Sequence, residues 1–192
     1  MARPGVRQQL VDASLEVFQA QGFNGSSVQD LTDAAGVPKG SFYNHFASKE
    51  AIAIAAVALY IERANGVEVL RDTKLAPLER IRRHFRTKWK SKKDLGYTEG
   101  CLLGSLSSEI GDTHDSARAE FVRVFKGWSN GLARALQEAQ DSGDISKDLD
   151  PAMLARFILN AWQGTLVRMK AEKSEEPFKD FNTMVFDHLL RG

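Results

Sequence analysis

Between residues 39 and 45 the chain reads Lys-Gly-Ser-Phe-Tyr-Asn-His, so Lys39, Ser41, Tyr43, Asn44 and His45 gather an ammonium, two hydroxyls, a carboxamide and an imidazole. On a short helix Phe42 and Phe46 form an i, i+4 apolar pair that packs inward, which leaves the polar set on the opposite surface. Its chemistry is recognition rather than bond-making. Lys and Asn match base edges in a major groove, while Ser, Tyr and Lys reach phosphate oxygens. Gly40 lets the backbone approach closely. The plainer alternative is an aromatic-rich helix in a small core, with Tyr43 and His45 as hydrogen-bonded polar residues.

The flanking residues decide between these, because they spell out the elements that would present such a face. Ser26 and Ser27 stand before Val28, where a helix needs a side-chain oxygen for its orphan N–H groups, and Asp30 is a short capping-box partner for Ser27. Val28, Leu31 and Ala35 share one face, and Gly36 permits the left-handed residue that ends the helix. Pro38 suits the first position of the next helix. Helix, tight turn, helix is the geometry that sets a second helix in a major groove. Ahead of it, Val11, Leu15 and Phe18, with Leu10, Ala13 and Val17 beside them, predict a covering helix that ends before Gly22. After a cap at Ser48, dense apolar content up to Tyr60 predicts a helix linking two domains.

The segment GVPKGSFYNHFASKEA, Gly36 to Ala51, with the helix before it, resembles the N-terminal domain of the tetracycline-repressor (TetR) family of bacterial regulators. The resemblance covers about the first quarter of the chain. It implies that Ser27 touches phosphate, that Lys39, Ser41, Tyr43 and His45 line the DNA face with Asn44 among them, and that Lys49 anchors a flanking phosphate. The fold expected is all-α, with a three-helix helix-turn-helix DNA-binding domain at residues 1–47 and a helical ligand-binding and dimerisation domain at residues 48–192.

Charge supports DNA binding only locally. Residues 1–50 set Arg3, Arg7, Lys39 and Lys49 against Asp12, Glu16, Asp30, Asp33 and Glu50, so a single head is slightly acidic and its affinity should require two heads together. Arg3 and Arg7 suit either a minor-groove arm or a solvated terminus. The whole chain, 192 residues with 43% hydrophobic content and a formal charge of +1, has core enough for one or two domains and no global pull on polyanions. With no apolar run near the roughly 20 residues of a membrane span and one cysteine, the expected location is cytoplasmic, with no disulfide and no multi-cysteine metal site.

From Pro77, the residues Leu78, Ile81, Phe85 and Trp89 predict one helix face, with Arg80, Arg82, Arg83, Arg86, Lys88, Lys90, Lys92 and Lys93 largely on the other. That basic face is either a solvated surface or an attraction for phosphate, on DNA or on an anionic ligand such as a coenzyme A ester. In TEGCLLGSLSSEIGD, Thr98 to Asp112, the spacing of Leu103, Leu106 and Ile110 predicts a helix whose first turn holds Cys101. A thiol there is either a small buried hydrophobe or a thiolate favoured by the helix dipole. The segment is similar to that of an electrophile- and acrylate-responsive TetR subgroup that represses reductase or detoxification genes, which implies that Cys101 is the sensor.

Two long helices follow. One carries Phe121, Phe125, Trp128, Leu132, Leu136 and Ala139, with Gly127, Gly131 and Ala135 on a second face. The other carries Met153, Leu154, Phe157, Ile158, Ala161, Trp162 and Thr165 after Asp150 and Pro151. Such a pair from each of two chains can form a four-helix homodimer interface, and a small-molecule inducer would lie among Trp89, Cys101, Phe125, Trp128 and Trp162. Residues Glu172 to Glu176 read as an exposed linker before a closing helix, Pro177 to Leu190. As an enzyme the chain offers only Asp112, His114 and Asp115, more simply a capping turn, and it holds no GxSxG, HExxH, P-loop or GxGxxG. No cofactor is expected. The expected function is a dimeric repressor released from a palindromic operator by a small molecule; a helical interaction module that does not bind DNA is the rival.

Overall fold

A computed structural model describes residues 5–63 and 66–191, and every regular element among them is helical. In order these are α1 Val6–Gln21, α2 Val28–Ala35, α3 Lys39–Tyr43, α4 Lys49–Arg63, α5 Gly66–Val69, α6 Pro77–Asp94, α7 Leu102–Ile110, α8 Asp115–Asp141, α9 Pro151–Glu172 and α10 Glu176–Thr183, the last running into a π-helical segment, Met184–Leu189. Arg3 lies outside the described residues. The chain forms two compact units, Met1–Ala64 with Cys101–Arg123 and Asn65–Gly100 with Val124–Gly192, so that α8 serves both in turn.

In the first unit α1 buries Leu10, Val11, Ala13, Ser14, Leu15, Val17 and Phe18, a wide face because α2 and α4 both pack on it. The helix stops at Gly22, whose φ of 75° and ψ of 179° are accessible to glycine and strained for other residues. At the start of α2 the expected capping box is complete: Ser27 Oγ accepts from the Asp30 N–H, and the Asp30 carboxylate accepts from the Ser27 N–H at 2.7 Å. Gly36 closes α2 in the left-handed region, φ 66° and ψ 33°. Pro38 stands one residue earlier than expected, as the cap of α3, where its extended backbone turns its carbonyl to the Ser41 N–H at 2.8 Å. Ser48 caps α4 through the Ala51 N–H, and α4 buries Ile52, Ala53, Ala56 and Val57. Leu102, Leu103, Leu106 and Ile110 are the buried face of α7.

In the second unit the core gathers Ile81 and Phe85 of α6, Leu132, Leu136 and Ala139 of α8, Leu154, Ile158, Trp162 and Met169 of α9, and Phe178 and Phe181 of α10. Asp150 caps α9 through the Met153 N–H at 2.7 Å, with Pro151 in the first turn. Of the apolar residues expected at helical spacing along α9, Met153 and Phe157 are 47% and 58% exposed, because the buried stripe runs through Leu154, Ile158, Trp162, Thr165 and Met169, one position round the helix. The basic residues of α6 lie largely off its apolar face, with two exceptions: Arg80 and Lys92 are buried, Arg80 bonded to the Leu70 carbonyl and Glu138, Lys92 to Glu99. Most of the remaining cations also have protein partners, Arg86 in Glu79, Lys93 in Glu175, Arg82 in the Phe186 ring and Lys88 in the Trp128 ring. The closing helix ends in π geometry, where the Leu190 N–H reaches the Val185 carbonyl and brings Leu190 onto the buried side.

Candidate nucleic-acid interface and effector cluster

Phe42 is fully buried and Phe46 nearly so, their rings 5.9 Å apart, and this pair fixes the roll of α3. What α3 and the residues after it turn to solvent is the polar set. Lys39, Tyr43, Asn44 and His45 are exposed and Ser41 is half-buried; Tyr43, at 61% exposure, shows most of a large aromatic ring to water. A ring of that size held out by its rigid neighbour costs apolar exposure without return in the isolated chain, which suits a surface that meets a partner. Ser27 is exposed as well, but its hydroxyl is committed to the capping box, donating to Asp30 at 2.6 Å. Those bonds, from the hydroxyl first and then the Ser27 N–H, hold the Asp30 carboxyl below its ordinary value. Arg7 lies over the Phe46 ring, 5.2 Å from its centre, on α1 rather than in an extended arm.

Lys49 is placed differently from the rest. Its ammonium turns into the unit and donates to the Phe23 and Ser26 carbonyls, each at 2.7 Å, above the Phe23 ring at 4.1 Å. Burial pulls its pKa below the ordinary lysine value, against the Glu109 and Asp30 carboxylates, which favour the charge. Around it are groups with no local signal in the sequence. Glu109 of α7 accepts from the Asn24 N–H at 2.8 Å, His114 packs edge-on against Phe23, and Glu50 of α4 accepts from the Ala117 N–H in the first turn of α8. Phe23 to Ser26, the link between α1 and α2, is thus hydrogen-bonded by residues 23 to 85 positions away.

Of the five residues expected to line an effector site, Trp89, Trp128 and Trp162 join one aromatic cluster of the second unit. Trp89 stacks on Phe178 at 4.7 Å, and Trp162 meets Phe85 and Phe181, each at 5.3 Å. Trp128 donates its indole N–H to His84 Nε2 at 3.0 Å, so that this nitrogen is the unprotonated one. The Trp89 and Trp162 indole N–H groups are buried without an acceptor. Phe125 is half-buried in the same unit. Cys101 belongs to the other unit: it is buried at the cap of α7, where its carbonyl accepts from the Ser105 N–H at 2.9 Å. Among the described residues no His, Cys, Asp and Glu cluster could hold a metal ion, and no helix is long and apolar enough to cross a membrane.

A capped helix, a left-handed glycine and a short helix presenting exposed polar groups, in a chain with a further helical unit, define a DNA-binding transcriptional regulator of the helix-turn-helix class rather than an enzyme. Residues 10–56 match the model of bacterial regulatory proteins of the tetR family, and residues 77–185 match the tetracyclin repressor-like C-terminal domain. The HTH-type transcriptional repressor DhaR of Mycobacterium sp. (strain GP1) is 39% identical over 99% of this chain and 95% of its own. A regulatory protein TetR from Rhodobacter sphaeroides superposes with a TM-score of 0.88 at 33% identity, covering 95% of this chain and 98% of its own. The reduced form of Escherichia coli NemR does so with a TM-score of 0.85 at 26% identity, covering 95% of each chain. The chain belongs to the TetR family, and its function is that of a ligand-responsive transcriptional repressor.

Proposed function

We propose that Lys39, Ser41, Tyr43, Asn44 and His45 read a palindromic operator in the major groove, with the first-turn N–H groups of α2 meeting a phosphate and Ser27, its hydroxyl and N–H both bonded to Asp30, holding that turn in place. The observation that carries this is the pairing of a fully buried Phe42 with an exposed Tyr43, since it fixes which face of α3 is offered. Lys49 serves by holding the link before α2, because its ammonium already has two acceptors. Residues 1–47 carry the reading and residues 48–192 the effector response and dimerisation, in the cytoplasm, where the DNA is. Two chains associate through α8 and α9. The outward apolar residues Met153, Phe157 and Val167, with Gly164 between them, support that, and the pair sets two heads about one helical turn, roughly 34–36 Å, apart.

The effector is a small molecule taken up beside Trp89, Phe125, Trp128 and Trp162 of the second unit, and Cys101 of the first unit is a separate trigger for an electrophile. The thiol sulfur would add to the terminal carbon of an acrylate-type double bond and the thiol proton would end on the adjacent carbon, so nothing leaves. To lower operator occupancy a hundredfold the effector needs about 2.7 kcal/mol of differential affinity between the two states.

Fluorescence anisotropy tests both halves. The chain should bind duplex from its own gene's upstream region over a scrambled duplex and lose that preference on treatment with an acrylate-type electrophile. Equal affinity for both duplexes would return the chain to the interaction-module class, and an unchanged response in Cys101→Ser would remove the thiol from the mechanism.

A further inference from the structure

We propose that Glu109, at the C-terminal end of α7, is a positioning residue for operator recognition, acting on the reading face through the link Phe23–Ser26. The proposal rests on the DNA-reading role assigned above. That link enters α2 at Ser27, so its path sets where the first turn of α2 and the α3 beyond it stand. It has no regular structure, and three of its backbone groups are fixed by side chains from elsewhere: the Phe23 and Ser26 carbonyls by Lys49, and the Asn24 N–H by Glu109 Oε2 at 2.8 Å. Lys49 is the neighbouring helix α4's contribution, while Glu109 is brought from 85 residues away. The chain makes room for it: a Cβ on Gly22 would stand 2.6 Å and 2.9 Å from the two Glu109 carboxylate oxygens.

Electrostatics alone gives Glu109 the wrong sign for a DNA-binding unit, since a carboxylate near a slightly acidic head repels phosphate at every sequence. A geometric role predicts the reverse for the operator only. The test therefore compares two duplexes, the best palindrome selected by the native chain from a random pool and a scrambled version of it. Expected for Glu109→Ala is operator affinity lower by about tenfold or more, the worth of one charge-assisted hydrogen bond, with scrambled-duplex affinity unchanged or higher. Glu109→Gln, which keeps an oxygen acceptor for the Asn24 N–H, should recover most of the discrimination. Should Glu109→Ala fail to fold, Glu109→Met, similar in length and without that acceptor, takes its place under the same criteria. Operator affinity that holds or rises along with the scrambled duplex overturns the proposal, as does an equal loss on both. A native chain that enriches no duplex from the pool sinks the DNA-reading role itself.

Discussion

Replacing Lys49 with Met separates its two possible services, because they leave different marks. The side chain spans from the start of α4 to two carbonyls at 2.7 Å, and hydrogen bonds to a charged donor contribute about 1.5–3 kcal/mol each. The ammonium is only partly buried, so water can take up some of what is lost, and the net cost should be about 1–3 kcal/mol. That cost falls on one unit. All three tryptophans, Trp89, Trp128 and Trp162, lie in the other, so tryptophan fluorescence is the wrong probe and amide exchange at Leu31 and Phe42 the right one. Exchange there should quicken in Lys49→Met while the tryptophan transition in urea holds its midpoint. Operator binding should weaken with the slope of log K against log salt unchanged. A residue that neutralised a phosphate would behave otherwise, leaving exchange as it was and making the slope shallower by about 0.9. That pair of results would refute the internal role.

Further outcomes follow from neighbouring residues. Phe42→Ala should cost about 3–5 kcal/mol of stability in a denaturant titration, whereas Tyr43→Ala beside it should leave stability within about 0.5 kcal/mol and weaken operator binding by about 1–3 kcal/mol. Because the Asp30 carboxyl is held below its ordinary 3.8, its contribution is fully present above that value and is lost as pH falls through the lower folded-state value, so acid titration by NMR should show α2 loosening in that window. Gly22→Ala should destabilise by about 1–3 kcal/mol, since its φ of 75° with ψ of 179° is a strained conformation for alanine, and thermal unfolding would reveal it.

What could be read from the sequence was local. Ser27 with Asp30, Gly36, and Phe42 with Phe46 interact within four residues, where helix geometry alone dictates who meets whom, and the family motif spans the same stretch. Glu109 gave no such sign: a carboxylate in SSEIGD is indistinguishable from a solvated one until the fold brings Asn24 beside it. Lys49 was visible as a cation, but its direction depends on carbonyls 23 and 26 residues upstream. Within the basic stretch of α6 the burial of Arg80 was equally out of view, since its partners are the Leu70 carbonyl, 10 residues before it, and Glu138, 58 residues on. On α9 the difficulty was symmetry. With Leu154 and Ile158 beside Met153 and Phe157, the helix is apolar on two faces, and periodicity cannot say which of them the same chain covers.

The compact unit that holds α2 and α3 is not a contiguous stretch, for Cys101–Arg123 belongs to it along with Met1–Ala64. On the ribosome its first helices emerge with the partner faces for Phe23, Glu50 and Asn24 still unmade. At about 5–20 residues per second those faces arrive roughly 3–12 s later. During that interval α1 to α4 must stay unaggregated with an unfinished core, and α6 is translated and can fold before α7 returns. A chimera that grafts this unit onto another effector body would therefore need both segments transferred together, with a second junction inside α8, near Arg123, where a single cut after α4 would leave the unit open.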